Sequence, residues 1–400
     1  MSARPDRGPA VVLLTMLVAL GPISTDLYLP SLPAIRAAFA VSAGTAQLTL
    51  SVFMAGFAVS QLVYGPVSDR FGRRPALLGG LALYLGATLA CALAGSIGQL
   101  IAARFVQALG ACAGPVLARA TVRDVFDRQR GAEVLAYMTM AMALAPALGP
   151  MAGGYLQVAF GWRAAFAALL AFAVLLTAGV LWILPETNAH RDASATDPVR
   201  ILANYRRLVR DSVYRGYVVT LTCTFAGLFA FVSGASFTLI EGYGLSPDQF
   251  ALSFAVVVVG YMIGTFLTGR LTRRLGTDRL IALGVGANVL GGAGMVGLVA
   301  AGVGGAPAIV ACQAVYMLGA GLVLPNSMAG AVGPYPRMAG SASALLGFVQ
   351  MGFAGIVGVG VGQLADGSGL AMASAVALAG VAAAVTFRRH VRRGRASAAA

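Results

Sequence analysis

Twelve apolar stretches, each about twenty residues long and set apart by short arginine-bearing breaks, constrain this chain more than anything else in it. They run roughly over 10–32, 45–67, 75–95, 98–118, 133–156, 163–184, 216–240, 249–271, 278–301, 306–329, 339–362 and 368–387. An α-helix rises about 1.5 Å per residue, so about twenty apolar residues cross the hydrocarbon core of a bilayer. No stretch alternates apolar and polar residues as a barrel strand would. The pattern predicts an all-α membrane protein with twelve transmembrane helices. Composition agrees: hydrophobic residues make up 58 % and charged residues 10 %, far from the balance of a soluble domain. The 52 glycines suit closely packed membrane helices.

The arginines orient the chain. All 28 basic residues are arginine, and with a cytoplasmic N-terminus 25 of them fall in the terminal segments and breaks on the cytoplasmic side. Arg36 and Arg163 face outward, and Arg104 lies within a span. Such asymmetry follows the positive-inside rule. It also excludes nucleic acid as a partner, because the charge is spread through short loops rather than gathered on one face. A chain without lysine cannot build a Gly-x-x-x-x-Gly-Lys phosphate loop, so nucleotide-driven chemistry is not expected. Cys91, Cys112, Cys223 and Cys312 sit singly in apolar runs, without metal-ligand spacing. No small-residue cleavage site precedes Asp26, so the first span is expected to be retained.

The longest polar break divides the spans into two sets of six. Residues 1–186 form a first six-helix bundle, 187–215 a cytoplasmic linker, and 216–400 a second bundle with a basic cytoplasmic tail. Within the linker, "ILANYRRLVR" (201–210) reads as a short basic amphipathic helix on the inner membrane surface. A repeat spans it: "GPVSDRFGRR" (65–74) follows the second span and "GRLTRRLGTD" (269–278) the eighth, with Gly65, Arg70 and Gly72 matching Gly269, Arg274 and Gly276.

"GPISTDLYLPSLPAI" (21–35) places one acid, Asp26, among Pro22, Pro30 and Pro33 in a run that reads as membrane-buried. The prolines predict a bend. Counted from the expected outer ends, Asp26 lies about 10 Å deep and Arg104 about 8 Å deep. A lone carboxylate in low dielectric can take up and release a proton as its surroundings change. Asp26 with Arg104 nearby is therefore the expected proton-coupling pair. The competing expectation is an acid buried only to satisfy Arg104.

These features together resemble the major facilitator superfamily of secondary transporters over nearly the whole chain. "GPVSDRFGRRP" (65–75) is similar to the family's loop between the second and third helices. The resemblance implies a cytoplasmic latch of Gly65, Asp69, Arg70, Gly72, Arg73 and Arg74. In it Asp69 sets against the eleventh helix and Arg73 pairs with Asp124. Gly65 is expected to admit a close backbone approach. "APALGPMAGG" (145–154) resembles the fifth-helix signature of the proton-driven antiporters, carried by Pro146, Gly149, Pro150, Gly153 and Gly154. "RFVQALG" (104–110) resembles the family's Arg-x-x-Gln-Gly pattern, with Gly110 displaced. Four further stretches, "STDLYLPSLPAI", "GWRAAF" (161–166), "LPET" (184–187) and "AGSASALLGFVQ" (339–350), look like the Bcr/CflA group of bacterial drug-resistance exporters.

The resemblance implies the major facilitator fold, two six-helix bundles around a central cavity. It also implies a secondary active transporter, not an enzyme, exchanging amphipathic small molecules such as antibiotics for protons by alternating access. The proton is the coupling ion and no other cofactor or metal is expected. The expected partners are the substrate and the lipid bilayer, with the protein acting as a monomer in the bacterial inner membrane. Tyr28, Phe53, Met54, Gln61, Gln107, Met138, Phe225, Phe229 and Gln350 are candidates for the cavity wall, and Glu241 is an interfacial acid or a second coupling group. Symport of a sugar or organic acid, export of another small metabolite, and a non-transporting membrane scaffold remain the alternatives.

Overall fold

A backbone in lipid must satisfy its own amides, and an apolar run does so by coiling into a helix. The structure, a computed structural model, describes residues 8–189, 191–365 and 367–392. Among the described residues there is helix and no strand. In chain order come α1 (Gly8–Asp26), a 3-10 turn (Leu29–Ser31), α2 (Leu32–Phe39), α3 (Ala43–Phe71), α4 (Arg73–Ala92), α5 (Ile97–Ala111), α6 (Ala113–Val125), α7 (Arg128–Phe160) and α8 (Arg163–Ile183). A 3-10 turn (Ala193–Thr196) and α9 (Pro198–Arg210) follow. Then come α10 (Ser212–Ala235), prolonged by a wide turn to Gly242, α11 (Pro247–Leu275), α12 (Thr277–Ala300), α13 (Gly305–Val332), α14 (Ala339–Gln363) and α15 (Leu370–Thr386).

Eleven stretches of helix among the described residues are long and apolar enough to cross a membrane, with α1–α2 and α5–α6 each forming one span. The 33-residue α7 covers the remaining apolar run of the sequence. The chain is an all-helical, multi-pass membrane protein.

The first span is longer than expected. It continues through α2 to Phe39 instead of ending near residue 32. Thirteen residues follow Asp26 before that end, about 20 Å of helix. The isolated prolines concealed this: Pro30 and Pro33 break the regular helix into a 3-10 turn and restart it without returning the chain to water, since Leu29, Pro30, Ser31 and Leu32 are all buried.

The chain divides into two compact units. One comprises residues up to 41 with 52–201, the other residues 42–51 with 202–400. In the first, α1 packs on α6, α7 and α8, and α4 on α5 and α8. In the second, α13 packs on α11 and α12, and α10 on α13, α14 and α15. Glycine makes the close crossings possible. A Cβ at Gly110 of α5 would lie 2.5 Å from both the Gly80 carbonyl oxygen and the Tyr84 nitrogen of α4, so only glycine fits.

Candidate functional site

Asp26 is the last residue of α1 and stands where the first span breaks. Pro30 has no N–H to donate to the Asp26 carbonyl, so the regular ladder fails there. The side chain is buried and accepts a 3.3 Å hydrogen bond from Thr25 Oγ1. A discontinuous membrane helix of this kind is where transporters place ion and substrate sites.

The fifth-helix signature packs against that break. A Cβ at Gly149 of α7 would come 2.7 Å from Asp26 Cβ, and one at Gly153, a turn further on, would strike the Leu27 carbonyl. Gly154 and Pro150 are buried beside them, and Pro146 is half-buried. The two glycines thus let α7 lie directly on the broken segment. The sequence places them on one face of a helix, and the structure supplies what that face meets.

Arg104 is fully buried. Its guanidinium donates to the Ser24 carbonyl at 3.1 Å and to Gln107 Oε1 at 2.6 Å. It also lies over three rings, 4.3 Å from the Phe53 centroid, 4.6 Å from Tyr28 and 5.9 Å from Phe166. Gln107 Nε2 passes the network to Thr88 Oγ1 at 2.8 Å, while the Tyr84 hydroxyl meets Ser24 Oγ at 2.7 Å. An arginine within a span costs about 2.5–3.5 kcal/mol on insertion scales. Charge-assisted hydrogen bonds and desolvated cation–π contacts of about 2 kcal/mol offset it. Among the described residues Arg104 and Asp26 form no ion pair, and Arg104 holds the backbone two residues before the acid instead. The expectation that Asp26 is buried to satisfy Arg104 is not met.

Of the remaining cavity candidates, Tyr28, Phe53 and Gln107 gather around Arg104. Met54 and Met138 are buried, and Gln61 is half-buried, outside that network. In the second unit Phe225 and Phe229 stack with centroids 6.5 Å apart, and Gln350 on α14 is half-buried. Glu241 is the last residue but one of the wide turn after α10 and is exposed. A recess of about 560 Å³ lined by Leu156, Phe160, Arg163 and several alanines lies away from all of these.

The latch residues form a second cluster. Arg73 bridges Asp69 at 2.5 Å and Asp124 at 2.8 Å, and Arg70 donates to Thr196 Oγ1 at 2.6 Å. Arg74 reaches the Leu181 carbonyl at 2.8 Å. Gly72 adopts φ +108°, a left-handed backbone that glycine tolerates. Gly65 departs from expectation. Nothing lies within 4 Å of a Cβ built there, so no backbone approaches it closely among the described residues.

Sequence reasoning did not assign a role to Glu186. Its carboxylate accepts from the amides of Arg73 at 2.9 Å, Arg74 at 3.2 Å, Thr187 at 3.0 Å and Asn188 at 2.8 Å, capping the start of α4, where the helix dipole favours an anion. Asn188 Nδ2 in turn donates to the Ser68 and Asp69 carbonyls at the end of α3. "LPET" carried the signal as a resemblance, but the cap needs the chain to return from α8 to α4.

The family model of the Major Facilitator Superfamily matches residues 14–359. The chain belongs to that superfamily. This transporter is 32 % identical to a bicyclomycin resistance protein homolog of Haemophilus influenzae, over 87 % of each chain. It is 31 % identical to multidrug resistance protein D of Escherichia coli over 85 % of each. A chloramphenicol resistance protein of Pseudomonas aeruginosa is 31 % identical, covering 72 % of this chain and 68 % of its own. These relatives are of the kind that the Bcr/CflA stretches resemble. Among solved structures, a D-xylose–proton symporter superposes with TM-score 0.77 at 17 % identity, covering 96 % and 97 % of the two chains. The human organic anion transporter MFSD10 superposes with TM-score 0.68 at 20 % identity, covering 96 % and 99 %. At such identities the likeness is one of fold. Membership makes this protein a secondary transporter, not an enzyme.

Proposed function

We propose that this transporter exports amphipathic small molecules from the bacterial cytoplasm in exchange for protons, with Asp26 as the proton carrier. The observation that carries the reading is the position of that acid: buried at the break of the first span, bonded to one neutral hydroxyl, and touched by the glycine face of α7. A carboxylate held so is ionised only when water or a cation reaches it. Movement of α7 on the broken segment changes that access. Protonation and substrate occupancy then become alternatives, and their exclusion couples the two fluxes in alternating access.

Arg104 is the positioning residue in this scheme, since it grips the Ser24 carbonyl and fixes the backbone that carries Asp26. The cluster of Asp69, Arg70, Gly72, Arg73, Arg74 and Asp124 acts as a cytoplasmic latch. The names of relatives associated with resistance to bicyclomycin, chloramphenicol and multiple drugs support antibiotics as the substrate class. The protein works as a monomer in the inner membrane with both termini cytoplasmic, and the proton is its only coupling partner.

The test is Asp26→Asn in proteoliposomes with an imposed proton gradient. Gradient-driven export of a tetraphenylphosphonium or chloramphenicol probe should fall at least a hundredfold while insertion and thermal stability stay near wild type. Undiminished gradient-driven export by Asp26→Asn would remove Asp26 from the mechanism.

A further inference from the structure

Gln313 of α13 repeats Arg104 of α5. "RFVQALGA" (104–111) and "QAVYMLGA" (313–320) share valine, leucine, glycine and alanine in the same register, and the packing repeats with the letters. Gly110 backs onto the Gly80 carbonyl and the Tyr84 amide of α4, and Gly319 onto the Gly284 carbonyl and the Asn288 amide of α12. Gln313 therefore stands for Arg104, Tyr316 for Gln107 and Asn288 for Tyr84.

The two sets differ in charge and in how many polar atoms they leave open, one nitrogen of Arg104 in the first against four atoms in the second. Around Arg104, Gln107, Tyr84 and Ser24 bond to one another or to backbone. In the second unit the Tyr316 hydroxyl donates to the Thr224 carbonyl at 3.0 Å, and Asn288 Nδ2 donates to the Tyr316 carbonyl at 2.9 Å. Gln313 Nε2 and Oε1, Asn288 Oδ1 and Thr224 Oγ1 are buried with no hydrogen-bond partner among the described residues. All three residues are 0 % exposed. Gln313 sits one turn from Tyr316 on the same helix face, and Tyr316 reaches α10 at Thr224 and α12 at Asn288, so these open groups share one strip of interior. Buried polar atoms in native proteins find partners, and each one left open costs stability.

We propose that Gln313, with Asn288 and Thr224, binds an uncharged group of the transported molecule that both donates and accepts hydrogen bonds, an amide or a hydroxyl. This rests on the transport reading above. The glutamine amide offers both a donor and an acceptor, and the asparagine and threonine oxygens add acceptors. None brings a charge, so the strip selects by hydrogen bonding. A ligand amide there would supply the partners that these atoms lack.

Two probes test it. Chloramphenicol is uncharged and carries hydroxyls and an amide. Tetraphenylphosphonium is a lipophilic cation without a hydrogen-bonding group. The full chain is purified, its thermal unfolding is followed with and without chloramphenicol, and gradient-driven export of both probes is measured. Gln313→Leu is expected to raise the ligand-free Tm by a degree or more, because an apolar side chain replaces open polar atoms. It should abolish the chloramphenicol-induced Tm rise that binding produces in the wild type. The KM for chloramphenicol should rise roughly tenfold, the loss of about one buried hydrogen bond, while tetraphenylphosphonium export stays within twofold, and Gln313→Asn should recover part of the loss. A lower ligand-free Tm in Gln313→Leu, a parallel fall in both probes, or a chloramphenicol Tm shift that is absent from the wild type or unchanged in the variant would overturn the proposal. Persisting gradient-driven tetraphenylphosphonium export would leave the antiport reading standing in that case. A Gln313-dependent Tm shift without any gradient-driven export would sustain the site and remove the antiport reading.

Discussion

Arg104 and Gln313 occupy equivalent turns of two helices that cross their neighbours through equivalent glycines, Gly110 and Gly319. One is a cation wrapped by Phe53, Tyr28 and Phe166 and bonded to Ser24 and Gln107. The other is a neutral amide whose nitrogen and oxygen find no hydrogen-bond partner among the described residues. The backbone scaffold was kept while the electrostatics were not: the first unit holds a buried cation and a buried acid, and the second presents polar atoms without charge. On the two proposals above, proton chemistry falls to the first unit and recognition of the cargo to the second.

Exchanging the two side chains is the harshest way to break this comparison. Gln313→Arg would place a guanidinium at a fully buried position where the glutamine amide finds no hydrogen-bond partner among the described residues. An uncompensated buried charge costs about 3–5 kcal/mol, so little folded protein should be recovered from membranes by detergent size-exclusion chromatography. Full recovery would mean that the second unit has a hidden shell for charge. Arg104→Gln goes the other way and keeps a polar group within reach of Gln107. A loss of about 2 kcal/mol is expected from the cation–π contacts, visible as a lower Tm, with gradient-driven export reduced tenfold or more because the Ser24 carbonyl is released. A variant as active as wild type would show that Arg104 serves packing alone.

A milder contrast lies at the helix starts that each unit caps with a carboxylate. Glu186 serves α4. Asp211 serves α10, accepting from the Val213 and Tyr214 amides at 2.7 and 2.9 Å and from the Tyr335 hydroxyl. Partial burial raises the Asp211 pKa, but the Tyr335 hydroxyl, the two amides and Arg215 outweigh it, so the folded value lies below the usual carboxylate value. Tyr335 is pushed up to about 12, by burial and then by Asp211. A depressed folded pKa gives stability that is present above the unfolded value of about 3.9 and is lost as pH falls through the lower folded value. Asp211→Asn keeps a capping oxygen but removes the negative charge at the start of α10, which should cost about 0.3–1 kcal/mol and flatten the fall in Tm below about pH 4. An unchanged acid limb would assign that loss to other carboxylates.

Much of this was legible because lipid leaves a chain few options. Apolar run length sets the helices, and an acid among prolines marks Asp26. The length of the first span was not legible, because Pro30 and Pro33 read as an end when the helix restarts beyond them inside the protein. Gly149 and Gly153 could be placed on one face, but their target at Asp26 and Leu27 is a tertiary fact. The open space at Gly65 is another. Gln313 escaped notice because the repeat with Arg104 preserves small packing residues and discards the polar ones, so a search for chemistry passes over it.

The carboxylate of Glu186 has a mechanical consequence. With four amides fastened to it, Asn188 on the end of α3, the Asp192 amide on the Asp69 carbonyl and Thr196 on Arg70, the chain leaving α8 is moored well past the point where its sequence turns polar. That mooring runs to Thr196, and α9 takes the chain up again at Pro198. An epitope or reporter grafted between Leu184 and Asp192 would uncork the third span.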